Sequence, residues 1–133
     1  MSLEDRAEIF EQRMREINKQ HVVYDVFVEQ PAMMFKGGKT TAFTMATLQR
    51  FNGMISILIP IVFEMEAELV NATSARKKVG LKIKRGDDTK KMIIEWVANE
   101  YPNDFVVELT RHGNPKPGTD DMADSVIVAL SGI

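Results

Sequence analysis

The amino-acid sequence predicts a mixed α/β domain with two to three strands and four to five helices. Three observations point there. Several segments carry apolar residues at three-four spacing, as helices with one buried stripe do. The run Val22-Val23-Tyr24-Asp25-Val26-Phe27-Val28 is almost continuously apolar and rich in β-branched and aromatic residues, which suits a strand buried on both faces. Between Phe63 and Leu69 apolar positions alternate with Glu64, Glu66 and Glu68, the period of a second strand.

The first helix carries Leu3, Ala7, Phe10, Met14 and Ile17 on one stripe, with charged residues elsewhere. The strand that follows ends at Glu29-Gln30-Pro31, where proline biases Gln30 toward extended backbone. Lys36-Gly37-Gly38-Lys39 reads as a flexible basic loop; its spacing fails the GxxxxGK[ST] phosphate-loop pattern. A second helix places Thr44, Leu48, Phe51, Ile55 and Leu58 on one stripe, with Ala46 and Gly53 on a neighbouring face where small residues permit close packing. Its end is open at Pro60, which either kinks the helix or starts a strand. Thr73 or Ser74 can cap a short basic helix ending near Gly80, and Asp87 or Asp88 opens a helix with Thr89, Ile93, Trp96 and Glu100 on one stripe. Phe105 to Leu109 offers a third strand, Asn114 to Gly118 is loop, and Asp120 to Leu130 is a last helix capped by Thr119 or Asp120. Two or three strands are few for so many apolar helix faces.

At 133 residues and 15.1 kDa, one domain spanning 1–133 is expected. The absence of cysteine excludes disulfides, thiolate zinc sites and cysteine nucleophiles, and fits a reducing compartment, hence an expected cytoplasmic location. The apolar stretch Met54 to Phe63 is short for a bilayer span, so no membrane partner is expected. Net charge is −2, yet eight of the 17 basic residues lie between Arg76 and Lys91: Arg76, Lys77, Lys78, Lys82, Lys84, Arg85, Lys90 and Lys91. Such a window is either a solvated face or a phosphate-binding one.

Two features carry candidate chemistry. Asp121 and Asp124, three apart on a helix, share one face, while Met122, Ala123, Val126, Ile127 and Leu130 form the packing arc. Two carboxylates on a rigid helix suit a hard divalent cation, although acidic residues in a first turn are also favoured by capping and the helix dipole. Glu29 sits at the carboxyl end of a strand, where open α/β sheets place ligand sites. His21 and His112 have no ligand spacing and no triad partner.

In order along the chain, Tyr24-Asp25-Val26-Phe27-Val28-Glu29-Gln30, the loop and long helix from Lys36, Glu68-Leu69-Val70-Asn71 running into Ala72 to Gly80, Asp88-Thr89-Lys90-Lys91 and Asp121-Met122-Ala123-Asp124-Ser125 resemble the RuvC-type Holliday-junction resolvases of the RNase H-like superfamily, including poxviral and phage-type relatives. The resemblance implies an RNase H-like fold in which the second helix runs past Pro60 and the next strand covers about Ala67 to Asn71. It implies a metal-dependent endonuclease in which Glu29, Asp121 and Asp124 ligate Mg²⁺ or Mn²⁺ and Lys90, or its neighbour Lys91, lies near the scissile phosphate. Arg76, Lys77 and Lys78 would hold DNA backbone phosphates, joined by Lys36, Lys39, Lys82, Lys84, Arg85 and Lys91. The partners implied are branched DNA and a second copy in a homodimer, in the cytoplasm or, for a phage or viral protein, in the host cytoplasm. Family members begin with a strand carrying an Asp, usually followed by Gly, whereas this chain opens on its first helix, where Asp5 is no substitute. An N-terminally incomplete domain, a weak or inactive nuclease by itself and a sticky strand edge are therefore expected. The alternatives are a non-catalytic RNase H-like binding or structural domain, and an unrelated small α/β regulatory domain whose basic window meets a protein or phosphate ligand.

Overall fold

A computed structural model describes residues 1–31 and 42–133. The described residues form five helices and a two-stranded parallel sheet, so the chain is mixed α/β. In order these are α1 (Leu3–Gln20), β1 (Phe27–Glu29), α2 (Ala42–Phe63), β2 (Glu68–Val70), α3 (Ala72–Lys78), α4 (Thr89–Glu100) and α5 (Thr119–Ser131). The chain divides into two compact units: Met1–Val26 with Gln30–Leu69, and Phe27–Glu29 with Val70–Ile133.

In the first unit α1 packs on α2. Ser2 and Asp5 form a reciprocal capping box that satisfies the first backbone donors of α1, with Ser2 Oγ accepting from the Asp5 N–H at 3.0 Å. Asp5 is thus a capping residue. Leu3, Ala7, Phe10 and Met14 are half-buried, as their spacing predicts, whereas Ile17 at the end of the stripe is exposed. The side-chain amide of Asn18 donates to the Val62 carbonyl at 3.1 Å. α2 runs through Pro60 to Phe63, and β2 follows, as the resemblance implies. Two expectations fail here. At 22 residues α2 is long and apolar enough to cross a bilayer by length and composition, so the shortness of Met54 to Phe63 is no argument against a span. Gly53 and Ala46 are exposed, and a Cβ at Gly53 would meet nothing within 4 Å, so no close packing requires a small residue at Gly53.

The second unit has a continuous core of Ala75, Leu81, Ile93, Ile94, Val97, Ala123, Ile127 and Val128. α5 is its centre, packing against α3, α4 and β1. Asn71, not Thr73 or Ser74, caps α3, accepting from the Ser74 N–H at 3.0 Å. Asp88 caps α4 through the Lys91 N–H, while Asp87 closes the preceding turn on the Lys84 N–H. α5 has no side-chain cap: Gly118 takes the N-cap at φ +89°, a conformation glycine adopts freely, and Thr119 instead donates its hydroxyl to the Lys116 carbonyl.

Strand extent departs most from expectation. Val22 to Val28 was to be a strand buried on both faces; only Phe27–Glu29 pairs, and Val22 and Tyr24 are exposed. A ladder extends only as far as its partner, and β2 offers three residues. Phe105 to Leu109 forms no strand, only a bridge from Leu109 to Pro115 that closes a turn. The basic loop containing Lys36 and Lys39 lies outside the described residues.

Phe27 fixes β1 to the end of α5: a Cβ added at Gly132 would run into the Phe27 ring. Gly132→Ala is therefore expected to lower stability by about 1–3 kcal/mol through overpacking. Gly53→Ala, in open helix, should raise it by up to about 1 kcal/mol. Urea denaturation of both variants checks the contrast.

Candidate functional site

β1 delivers Glu29 to the place where the strand leaves the sheet, and α5, seated against β1, presents Asp120, Asp121 and Asp124 from its first turns. α3 packs on the same helix and carries Arg76 in its last turn. All of these residues belong to the second unit.

Asp121 and Asp124 do not share one outward face as their spacing suggests. Three residues advance a helix by about 300°, leaving the two side chains about 60° apart, and here that offset straddles the edge of the packed face. Asp124 is buried beside Ala123, Ile127 and Val128, while Asp121 is exposed; Met122, expected to pack, is also exposed. The Arg76 guanidinium meets the buried carboxylate as a fork, Nε donating to Oδ1 at 3.0 Å and Nη2 to Oδ2 at 2.5 Å. Both side chains are largely buried, at 19% and 11% exposure. This two-bond geometry is what makes an arginine–carboxylate pair strong enough to hold a charge inside. The bond to Asp124 raises the Arg76 pKa above its ordinary value.

The Glu29 carboxyl has a pKa raised above its ordinary value. Burial against the protein raises its pKa, although the residue keeps access to water; the neighbouring Asp124 raises it further, Arg76 opposes this, and Asp121 adds to the rise. Glu29 thus feels the charge of both aspartates. The Arg76 guanidinium bonds Asp124 and also feels the Glu29 carboxylate.

The basic residues divide by burial. Lys77, Lys78, Lys82, Lys84, Arg85, Lys90 and Lys91 are exposed, and only Arg76 of this window is drawn inward. Lys90 stands 3.9 Å from Asp120, and Lys91 stands 4.0 Å from Glu95; both contacts are open to solvent. The Arg76–Asp124 bond joins residues 48 apart, beyond any local spacing rule. Its one signal is that Arg76 falls on the apolar stripe Ala72, Ala75 and Val79 of α3, where a solvated cation would not belong.

Carboxylate oxygens are the donors that Mg²⁺ and Mn²⁺ prefer, so Glu29, Asp121 and Asp124 fit such an ion chemically. Their present arrangement is incomplete: among the described residues no group of three or more His, Cys, Asp or Glu is placed to hold a metal ion. Both Asp124 oxygens already accept from Arg76.

A scan against protein-family models finds none that matches the chain, and neither the curated proteins nor the solved structures give a match.

Two outcomes follow from the electrostatics. Arg76→Ala leaves a buried carboxylate without its partner and is expected to cost about 3 kcal/mol, whereas Arg76→Met with Asp124→Leu should recover most of that loss; a denaturation double-mutant cycle measures the difference. For Glu29 the folded-state pKa exceeds the unfolded value, so its ionisation weakens folding as pH rises from the ordinary carboxyl range through the raised value. Glu29→Gln should therefore raise the melting temperature at neutral pH, and the gain should vanish in acid below the ordinary glutamate pKa.

Proposed function

We propose that the chain is a metal-dependent endonuclease-type domain with an RNase H-like fold, similar to the RuvC-type Holliday-junction resolvases and directed at branched DNA. One observation supports this above the others: Glu29, leaving a strand, lies within electrostatic reach of Asp121 and Asp124 on the first turns of the last helix. Three carboxylates gathered at a strand end are a costly arrangement unless a cation is to share them.

On this reading Glu29, Asp121 and Asp124 hold Mg²⁺ or Mn²⁺, which when bound supplies charge neutralisation and an activated water at a phosphodiester. Lys90, beside Asp120 and largely exposed, is free to swing toward the scissile phosphate. Lys77, Lys78, Lys82, Lys84, Arg85 and Lys91 project into solvent from one stretch of chain, as cations that grip backbone phosphates without reading bases must. Lys36 and Lys39, outside the described residues, are further proposed DNA contacts. Phe43, Leu48, Ile57 and Ile61 leave apolar area exposed on α2, suited to a second copy in a homodimer. Work inside the cytoplasm accords with a chain without cysteine.

A second reading keeps the DNA surface and drops the chemistry. The Arg76–Asp124 ion pair favours it, because that bond neutralises a would-be ligand. It also makes the isolated chain a slow nuclease on the first reading.

The deciding experiment incubates the full chain with a labelled four-way junction and a linear duplex of the same sequences in Mg²⁺ or Mn²⁺. Slow junction-selective cleavage, reduced at least about 100-fold by Asp121→Asn, is expected. Junction binding without cleavage, unchanged in Asp121→Asn, would establish the non-catalytic reading. Equal binding of junction and duplex would overturn both, since simple basic patches hold the two alike.

A further inference from the structure

We propose that the outer edge of residues 105–109, with the groove between that segment and α4, binds an extended peptide strand of a partner protein. The strand it fits has apolar residues at alternate positions and an acidic residue at one end.

The segment is half of a strand pairing. The Phe105 N–H donates to the Tyr101 carbonyl at 2.9 Å and turns the chain back after α4. From there the side chains alternate: Val107 and Leu109 line a cavity beside α4, and Val106 and Glu108 line a separate one. A period of two is that of extended backbone. Leu109 stands opposite Pro115 in an antiparallel bridge. On either side of it the Lys116 N–H donates to the Glu108 carbonyl at 2.9 Å and the Thr110 N–H donates to the Asn114 carbonyl at 2.7 Å. In such a pair, successive residues turn their N–H and C=O groups to opposite edges. Glu108 and Thr110 therefore face the hairpin, and Leu109 and Val107 turn theirs outward. Among the described residues the main-chain groups of Val107 and Leu109 have no hydrogen-bond partner. The β-favouring run Phe105-Val106-Val107-Glu108-Leu109 thus has the alternation of a strand and a partner on one side only.

The groove beside this segment holds about 590 Å³ and is walled by Ile94 and Ala98 of α4 and by Val107, Leu109 and Pro115. That is the scale of sites that enclose side chains, roughly 300–1,000 Å³. An added strand would offer its own N–H and C=O groups to Val107 and Leu109, and every second side chain would enter the apolar groove. An open edge of this kind is a template for pairing with another chain. Charge sets the end of the peptide. Lys90 and Lys91 stand on the rim, 79% and 69% exposed, and their acidic neighbours Asp120 and Glu95 come no nearer than 3.9 and 4.0 Å. Contacts so open to solvent contribute little, which leaves both ammonium groups available to an incoming carboxylate. Asp88, also on the rim, is engaged as the cap of α4. Neither a metal nor a nucleic acid takes part in this contact.

The test pans a phage-displayed library of short random peptides against the full chain, then synthesises the selected peptides with single N-methyl groups placed along the backbone. Expected are sequences with alternate apolar residues and a terminal Asp or Glu, each slowing hydrogen exchange at the Val107 and Leu109 amides. N-methylation should weaken binding at least about tenfold at every second position and little at those between, because only alternate N–H groups face the edge. Lys90→Glu combined with Lys91→Glu should weaken binding about tenfold. Failure to select any peptide, unchanged exchange at Val107 and Leu109, or N-methyl effects without the two-residue period would overturn strand addition. Unchanged affinity in the lysine variant would overturn the acidic preference. Exchange at the same two amides that slows with rising chain concentration in the absence of peptide would assign the edge to a second copy and overturn the peptide partner.

Discussion

Burial of the inner face of α5 is the constraint from which the site's geometry follows. Ala123, Ile127 and Val128 are almost completely excluded from water against α3, α4 and β1. Rotating α5 by even one residue, about 100°, would expose that face and lose several kcal/mol of apolar burial. With the rotation fixed, Asp124 has to point inward and Asp121 outward. A helix that must bury one carboxylate needs a cation on a neighbouring element, and α3 brings Arg76 to within hydrogen-bonding distance.

The same packing places Glu29. Phe27 lies against the end of α5 at Gly132, and two residues later the strand releases Glu29 toward the acidic turns. There burial raises the Glu29 pKa first, the nearby Asp124 carboxylate adds to the rise, and the Arg76 guanidinium offsets part of it. Stability and chemistry pull against each other here. Arg76 makes the buried aspartate tolerable in the free chain, and by occupying its oxygens it withholds them from any other cation. Both Asp124 oxygens accept from Arg76, and among the described residues no group of three or more His, Cys, Asp or Glu is placed to hold a metal ion.

How far the sequence could be read varied with the range of the interactions involved. Short-range rules located the helices well: the α1 stripe, the aspartate cap of α4 and the end of α3 near Gly80 follow from spacing and backbone chemistry. Strand length was not legible, because β1 extends only as far as β2 pairs with it and the apolar run Val22 to Val26 carries no sign of its missing partner. Strand-end position singled out Glu29 and helical spacing singled out Asp121 with Asp124, but only the family resemblance joined the three into one site. The unequal burial of the two aspartates was not legible, since an offset of about 60° on a helix decides nothing until the neighbour is known. Arg76 was read as one more surface cation of a basic window, and only its place on the α3 apolar stripe set it apart.

The proposed function depends on Glu29, Asp121 and Asp124 converging on one ion. Anomalous diffraction from crystals of the chain grown with branched DNA and Mn²⁺ tests this most directly. The proposal predicts a manganese peak bounded by Glu29, Asp121 and Asp124. Manganese found elsewhere, or none bound while Arg76 still grips Asp124 beside ordered DNA, would contradict it.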